Sequence, residues 1–135
     1  MLSRLRAALA AARGKTGEEA AEKMLRKAGW RILARNWRQG RLELDLVCED
    51  GEDLVFVEVR TRDAHGMVSP AESVSRAKQR TLARAAGAYL AAHDAWDRSC
   101  RFDVICVTAD DTLNLEHIRH AFEYDPSVDR GHSAR

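Results

Sequence analysis

The sequence predicts an α/β domain, a mixed β-sheet flanked by helices, and three observations carry that expectation. Two apolar-rich runs, Leu42 to Cys48 and Leu54 to Arg62, flank Glu49-Asp50-Gly51-Glu52, and Asp-Gly is a strong hairpin signal. Apolar residues recur at helical spacing on either side of this hairpin, over 18–28 and again up to His93. Arg101 to Thr108 (RFDVICVT) is a further apolar strand. The order is helix, strand, hairpin, helix, strand, short strand. A regular βαβ series would not contain a hairpin, so the sheet is expected to be mixed.

The 135 residues suit one compact domain. Hydrophobic content of 45% with 32% charged residues is that of a soluble globular protein. A net charge of +1 provides no global field to attract a polyanion, so any nucleic-acid contact must use local basic clusters. Cys48, Cys100 and Cys106 are odd in number and lack C-x-x-C spacing, which argues against a disulfide framework or a zinc knuckle and suits a reducing cytoplasm. The apolar run Ala7 to Ala12 is too short for a secretory signal or a membrane span. Residues 1–16 are read as a basic, flexible segment, 17–125 as the domain and 126–135 as a disordered tail.

In chain order, a helix is expected from Glu18 to Ala28, closed by Gly29. Ala20, Ala21, Met24, Leu25 and Ala28 form its apolar stripe. Glu18 lies at the edge of that stripe and Glu19 points away from it. Trp30 to Trp37 is a strand in a region made basic by Arg31, Arg35, Arg38 and Arg41. After the hairpin, Asp63 to Ser69 is a loop containing His65. Ser69-Pro70-Ala71-Glu72 has the form of a capping box and leads into a helix reaching His93. Leu82, Ala85, Ala86, Tyr89 and Leu90 are its buried stripe, and Lys78 leans over the sheet edge. Asp103 faces opposite to Phe102 and Val104. Leu113 to Ile118 is a short final strand, and His120-Ala121-Phe122 tucks against the core.

The hairpin carries the chemistry. Closing it over Asp50-Gly51 sets Asp45 opposite Phe56 and Glu43 opposite Glu58. Alternation then puts Glu43, Asp45, Phe56, Glu58 and Arg60 on one face, and Leu44, Leu46, Val55, Val57 and Val59 on the core face. Like charges on one sheet face repel. A divalent cation would resolve this, because Mg²⁺ takes carboxylate oxygens and water; a solvated face with Arg60 as counter-ion would also do so.

The segments Gly17-Glu18, Gly29-Trp30-Arg31-Ile32-Leu33, Asn36, Glu43-Leu44-Asp45-Leu46-Val47, Val55-Phe56-Val57-Glu58-Val59-Arg60-Thr61-Arg62, Ser69-Pro70-Ala71-Glu72, Lys78-Gln79-Arg80 and Arg101-Phe102-Asp103-Val104 occur in order. Together they resemble the YraN-type bacterial family, within the PD-(D/E)xK restriction-endonuclease-like superfamily and near the Holliday-junction resolvases. The resemblance implies a restriction-endonuclease-like fold and catalytic positions Asp45, Glu58 and Arg60. It implies Mg²⁺ or Mn²⁺ held by Asp45, Glu58, the carbonyl of Val59 and Glu18, with Glu43 as an accessory. Lys78, Arg62, Arg80 and Arg41 are the expected nucleic-acid contacts. The implied activity is hydrolysis of DNA phosphodiester bonds, on branched or repair intermediates, by a cytoplasmic enzyme that acts as a dimer.

Two departures stand out. Arg60 occupies the motif lysine position, and arginine, with a pKa above about 12, cannot serve as a general base. Leu42 replaces the usual glycine before Glu43. The alternatives are therefore a non-catalytic nucleic-acid-binding module on the same fold, and an adaptor whose acidic face is merely solvated.

Overall fold

In the computed structural model the described residues are 17–63, 74–109 and 113–123. Helix α1 covers 17–27. It is followed by β1 (Arg31–Gln39), β2 (Leu42–Asp50), β3 (Asp53–Asp63), α2 (Arg76–Ala92), β4 (Cys100–Ala109) and β5 (Leu113–Phe122). The five strands lie in the order β1-β2-β3-β4-β5. All neighbours are antiparallel except β3 and β4, which run parallel because the connection between them crosses over through α2.

Both faces of this mixed sheet are covered, as an α/β protein requires. On one face Ala21 and Leu25 of α1 pack with Trp30, Leu46, Cys48, Val55, Val57, Ile105 and Val107. On the other, Leu82, Ala85, Ala86, Tyr89 and Leu90 of α2 pack with Val47, Leu54, Phe56, Phe102 and Val104. The expected α2 stripe is thus the buried one. In α1, Ala28 is exposed instead, because the helix ends before it and Gly29 turns the chain at φ 93°. Ser75 caps α2 by accepting a hydrogen bond from the Lys78 amide. The predicted capping box 69–72, like His65, lies outside the described residues.

The hairpin closes two residues away from the expected register. Its ladder pairs Asp50 with Asp53 and Leu46 with Val57, so the turn is Gly51-Glu52. Gly51 takes φ 61° at the first central position, where type II′ turns place glycine, rather than the second. A shift of two leaves the predicted faces of β3 unchanged: Phe56 packs on the α2 side, Val55 and Val57 on the α1 side. It also brings Asp45 level with Glu58 instead of Phe56. The two aspartates that now face each other at the turn are joined by Arg101, whose guanidinium donates to Asp50 Oδ2 at 2.9 Å and to Asp53 Oδ2 at 3.1 Å.

Leu44 departs from the predicted face. It packs in the α2-side cluster, whereas Leu46, two residues on, packs in the α1-side cluster. The alternation of β2 therefore breaks across Asp45. In β1 the matching position is Asn36, at φ 47°, between the paired Arg35–Leu46 and Trp37–Leu44. Asparagine is among the few side chains that accept this left-handed backbone at small cost.

Strand β5 runs four residues beyond the predicted end. The backbone of His120 takes φ 51° within an irregularity opposite Phe102 and Val104. Phe122 stacks on Phe102 at 4.8 Å, and Ala121 packs on the same cluster, as expected; His120 itself is exposed. Cys48 and Cys106 are buried in the sheet, as predicted for small core residues. Among the described residues, no helix is long and apolar enough to cross a membrane.

Candidate active site

Strands β2 and β3 stop pairing at Leu46–Val57. Beyond that point the backbone groups need other partners, and the Val59 N–H donates to Asp45 Oδ2 at 2.8 Å. This bond draws Asp45 inward beside Glu58, which is 9% exposed. Each of the two carboxyl groups perturbs the other. Burial, then the Asp45 charge, pushes the Glu58 carboxyl up to about 7. Burial likewise raises Asp45, with the Val59 bond opposing it. Two acids that cannot both ionise cheaply in one place are poised to exchange a proton for a cation.

Two cations approach Glu58 from different elements. Arg60 Nε and Lys78 Nζ both lie 3.8 Å from Glu58 Oε1. Arg60 comes from the same strand face. Lys78 comes from the first turn of α2, as its place one turn before Leu82 predicts. The buried Arg60 Nε has no hydrogen-bond partner among the described residues. An unsatisfied guanidinium N–H beside two acids is positioned to receive an anion.

Glu18 stands in the first turn of α1. Burial, then the charges of Asp45 and Glu43, raise its carboxyl. It shares a cavity of ≈ 310 Å³ with Asp45, Asn36, Glu19, Glu22, Arg35 and Leu46. Its position depends on Gly17. A Cβ built there would come 2.8 Å from Thr61 Oγ1 and 3.4 Å from Val107 Cγ1, so α1 touches β3 and β4 at this point. Gly17→Ala is expected to cost about 1 kcal/mol net, overpacking offset by better helix propensity. Adding Thr61→Ala should restore most of the loss in a double-mutant cycle of melting temperatures.

The donor set suits a hard cation, with carboxylate oxygens already converging. It is sparse, however. Among the described residues no three His, Cys, Asp or Glu side chains are grouped to hold a metal. Asp45 and Glu58 form the pair, and Glu18 feels their charge from the cavity wall. Glu43 points outward and pairs with Arg38 at 3.3 Å.

Of the expected basic contacts, Lys78 reaches the acid pair. Arg80 is exposed on α2, in a separate cavity of ≈ 290 Å³ lined by Arg76, Gln79 and Glu123. Arg41 is exposed in the turn between β1 and β2. The Arg62 side chain lies outside the described residues.

Asp103 does not join the acids. It faces the α1 side with a fully buried carboxylate, which accepts from Arg101 Nε at 3.1 Å and the His120 amide at 3.1 Å. His117 Nε2 lies 2.8 Å from its other oxygen. Arg101 and Arg119 sit over the Trp30 ring at 5.1 and 5.5 Å. This second polar centre ties the hairpin turn and β5 to the sheet.

A five-stranded mixed sheet with a helix on each face, opening at an Asp/Glu pair between its central strands, belongs to the restriction-endonuclease-like class of folds. The chain is a member of uncharacterised protein family UPF0102, whose model matches residues 17–107. It is 52% identical over 121 residues to a UPF0102 protein of Nitratidesulfovibrio vulgaris, covering 89% of this chain and 90% of that one. It is 44% identical over 122 residues to a UPF0102 protein of Lawsonia intracellularis, covering 90% and 92%. A UPF0102 protein of Chlorobaculum tepidum is 47% identical over 116 residues, covering 81% and 90%.

Proposed function

We propose that the chain is a metal-dependent nuclease that hydrolyses phosphodiester bonds in DNA. The observation carrying this reading is the buried Asp45–Glu58 pair with Arg60 beside it, whose Nε lies 3.8 Å from Glu58 and makes no hydrogen bond among the described residues. Mg²⁺ or Mn²⁺ would be held by Asp45, Glu58 and the carbonyl of Val59, with water and phosphate oxygens completing the sphere. When bound, the ion supplies charge neutralisation at the scissile phosphate and an activated water.

The remaining work falls to the chain's own residues. The Val59 amide fixes Asp45. Arg60 offers N–H groups to a phosphate oxygen and stabilises charge there without taking a proton. Lys78 compensates Glu58 and contacts an adjoining phosphate. Glu18 and Glu43 flank the pair. DNA as partner, a cytoplasmic location and a homodimeric state belong to this proposal.

The test is cleavage of duplex, flap and four-way-junction DNA with Mn²⁺, comparing wild type with Asp45→Ala. Cleavage that disappears in the variant is the expected result. Cleavage that survives would place the activity elsewhere. Metal-independent, salt-sensitive binding without cleavage would favour the second reading, a non-catalytic binding module, which arginine at position 60 in place of the motif lysine supports.

A further inference from the structure

Strands β1 and β2 lose their alternation at the same level. In β1, Ala34 and Trp37 pack against the same α2-side cluster although they are three residues apart; in β2, Leu44 and Val47 do the same. A period of two would send the members of each pair to opposite faces. Trp37 pairs with Leu44 and Arg35 with Leu46, so the two breaks lie opposite each other, one at Asn36 and one at Asp45. Consecutive residues then share a side. Arg35 with Asn36, and Asp45 with Leu46, all line the ≈ 310 Å³ cavity beside α1.

The irregular backbone at this level belongs to Asn36. It takes φ 47°; among the described residues, the other strand residue with a positive φ is His120, at the far edge of the sheet. A left-handed residue in a strand acts as a bulge does: it twists the strand and re-aims the side chains next to it. Asp45 follows through its pairing with β1. Its Oδ2 leaves the ordinary pleat and accepts from the Val59 N–H at 2.8 Å. Most side chains resist this backbone, whereas asparagine and glycine take it at small cost.

We infer that Asn36 is a positioning residue: its left-handed backbone, and not its side-chain amide, turns Asp45 to the Val59 N–H and so builds the cation-binding pair with Glu58. The cation-binding half rests on the nuclease reading above; the placement of Asp45 is measurable without it.

Amide hydrogen exchange on the full-length, metal-free protein tests the placement. Asn36→Val puts a β-branched side chain where φ is 47°. It should speed exchange of the Val59 amide at least about tenfold, as Asp45→Ala does. Asn36→Gly accepts the same φ and lacks the amide, so Val59 should stay within about threefold of wild type. The β4 amides, paired on the other side of β3, should be unmoved in both variants. Should Asn36→Val fail to fold, Asn36→Ala gives the same comparison with less crowding. Calorimetric titration with Mn²⁺ then tests the second half: Asn36→Val should bind about 10–100-fold more weakly than Asn36→Gly.

A Val59 amide equally protected in every Asn36 variant would overturn the inference. So would an equal loss in Asn36→Gly and Asn36→Val, which would assign the role to the amide. Val59 exchange in the expected order, in a protein that binds no Mn²⁺ even as wild type, would uphold the placement of Asp45 and overturn the nuclease reading.

Discussion

Glu58→Gln is expected to make the metal-free protein more stable at pH 7, while abolishing divalent-cation binding and lowering any cleavage at least about a hundredfold. The stability gain follows from linkage. The Glu58 carboxyl titrates near 7 in the folded chain, against 4.5 as its ordinary value, because burial and the Asp45 charge disfavour ionisation. A raised acid contributes fully to stability below pH 4.5, and that contribution is lost as pH rises through about 7. Glutamine carries no such loss, so the variant should gain about 1–3 kcal/mol at pH 7 and above and little at pH 4. Melting curves across this range check the sign. Mg²⁺ should raise the wild-type midpoint and leave that of the variant unmoved. Cation binding should itself strengthen as pH rises toward neutrality, since it displaces the shared proton.

Asp103→Ala is expected to cost about 3–5 kcal/mol, a fall of roughly 10–20 °C in melting temperature, with no gain at any pH. Its carboxylate is wholly buried between Arg101 and His117. Burial alone would raise it, but the bonds from His117, Arg101 and the His120 amide outweigh that and leave it below the ordinary carboxylate range. Removing it strands the Arg101 guanidinium, only 7% exposed, against two remaining aspartates at the hairpin turn. The same sign argument runs the other way from Glu58. A depressed acid contributes above its unfolded pKa, and the contribution is lost as pH falls through the folded value, so acid should loosen the wild type at this centre first. Denaturant unfolding of wild type and variant at pH 7 and pH 4 checks it; the difference between them should shrink at the lower pH.

The contrast between these two centres shows what could be read from residue order. Period-two alternation assigns Asp45, Glu58 and Arg60 to one face even with the turn read one residue early, because the pairing register then shifts by two and faces survive an even shift. Helical spacing likewise put Lys78 on the correct side of α2, and it proved to reach Glu58. Local pattern could not reveal that β2 switches layers at Asp45. That switch depends on Asn36 opposite, and an asparagine inside a strand is the only trace of it in the sequence. Nor could it place Asp103. A lone aspartate in an apolar strand suits either face, and its partners Arg101, His117 and His120 assemble only when β5 folds back along β4. Glu18 was legible as a residue at the edge of a helical stripe; its height above the sheet is set by a glycine contact between elements far apart in the chain.

The central claim is that Asp45 and Glu58 jointly hold a divalent cation. Anomalous diffraction from crystals soaked in Mn²⁺ tests this most directly. The account predicts a peak within bonding distance of one oxygen of each carboxylate and of the Val59 carbonyl. A well-ordered site with both carboxylates in place and no anomalous density between them would contradict it.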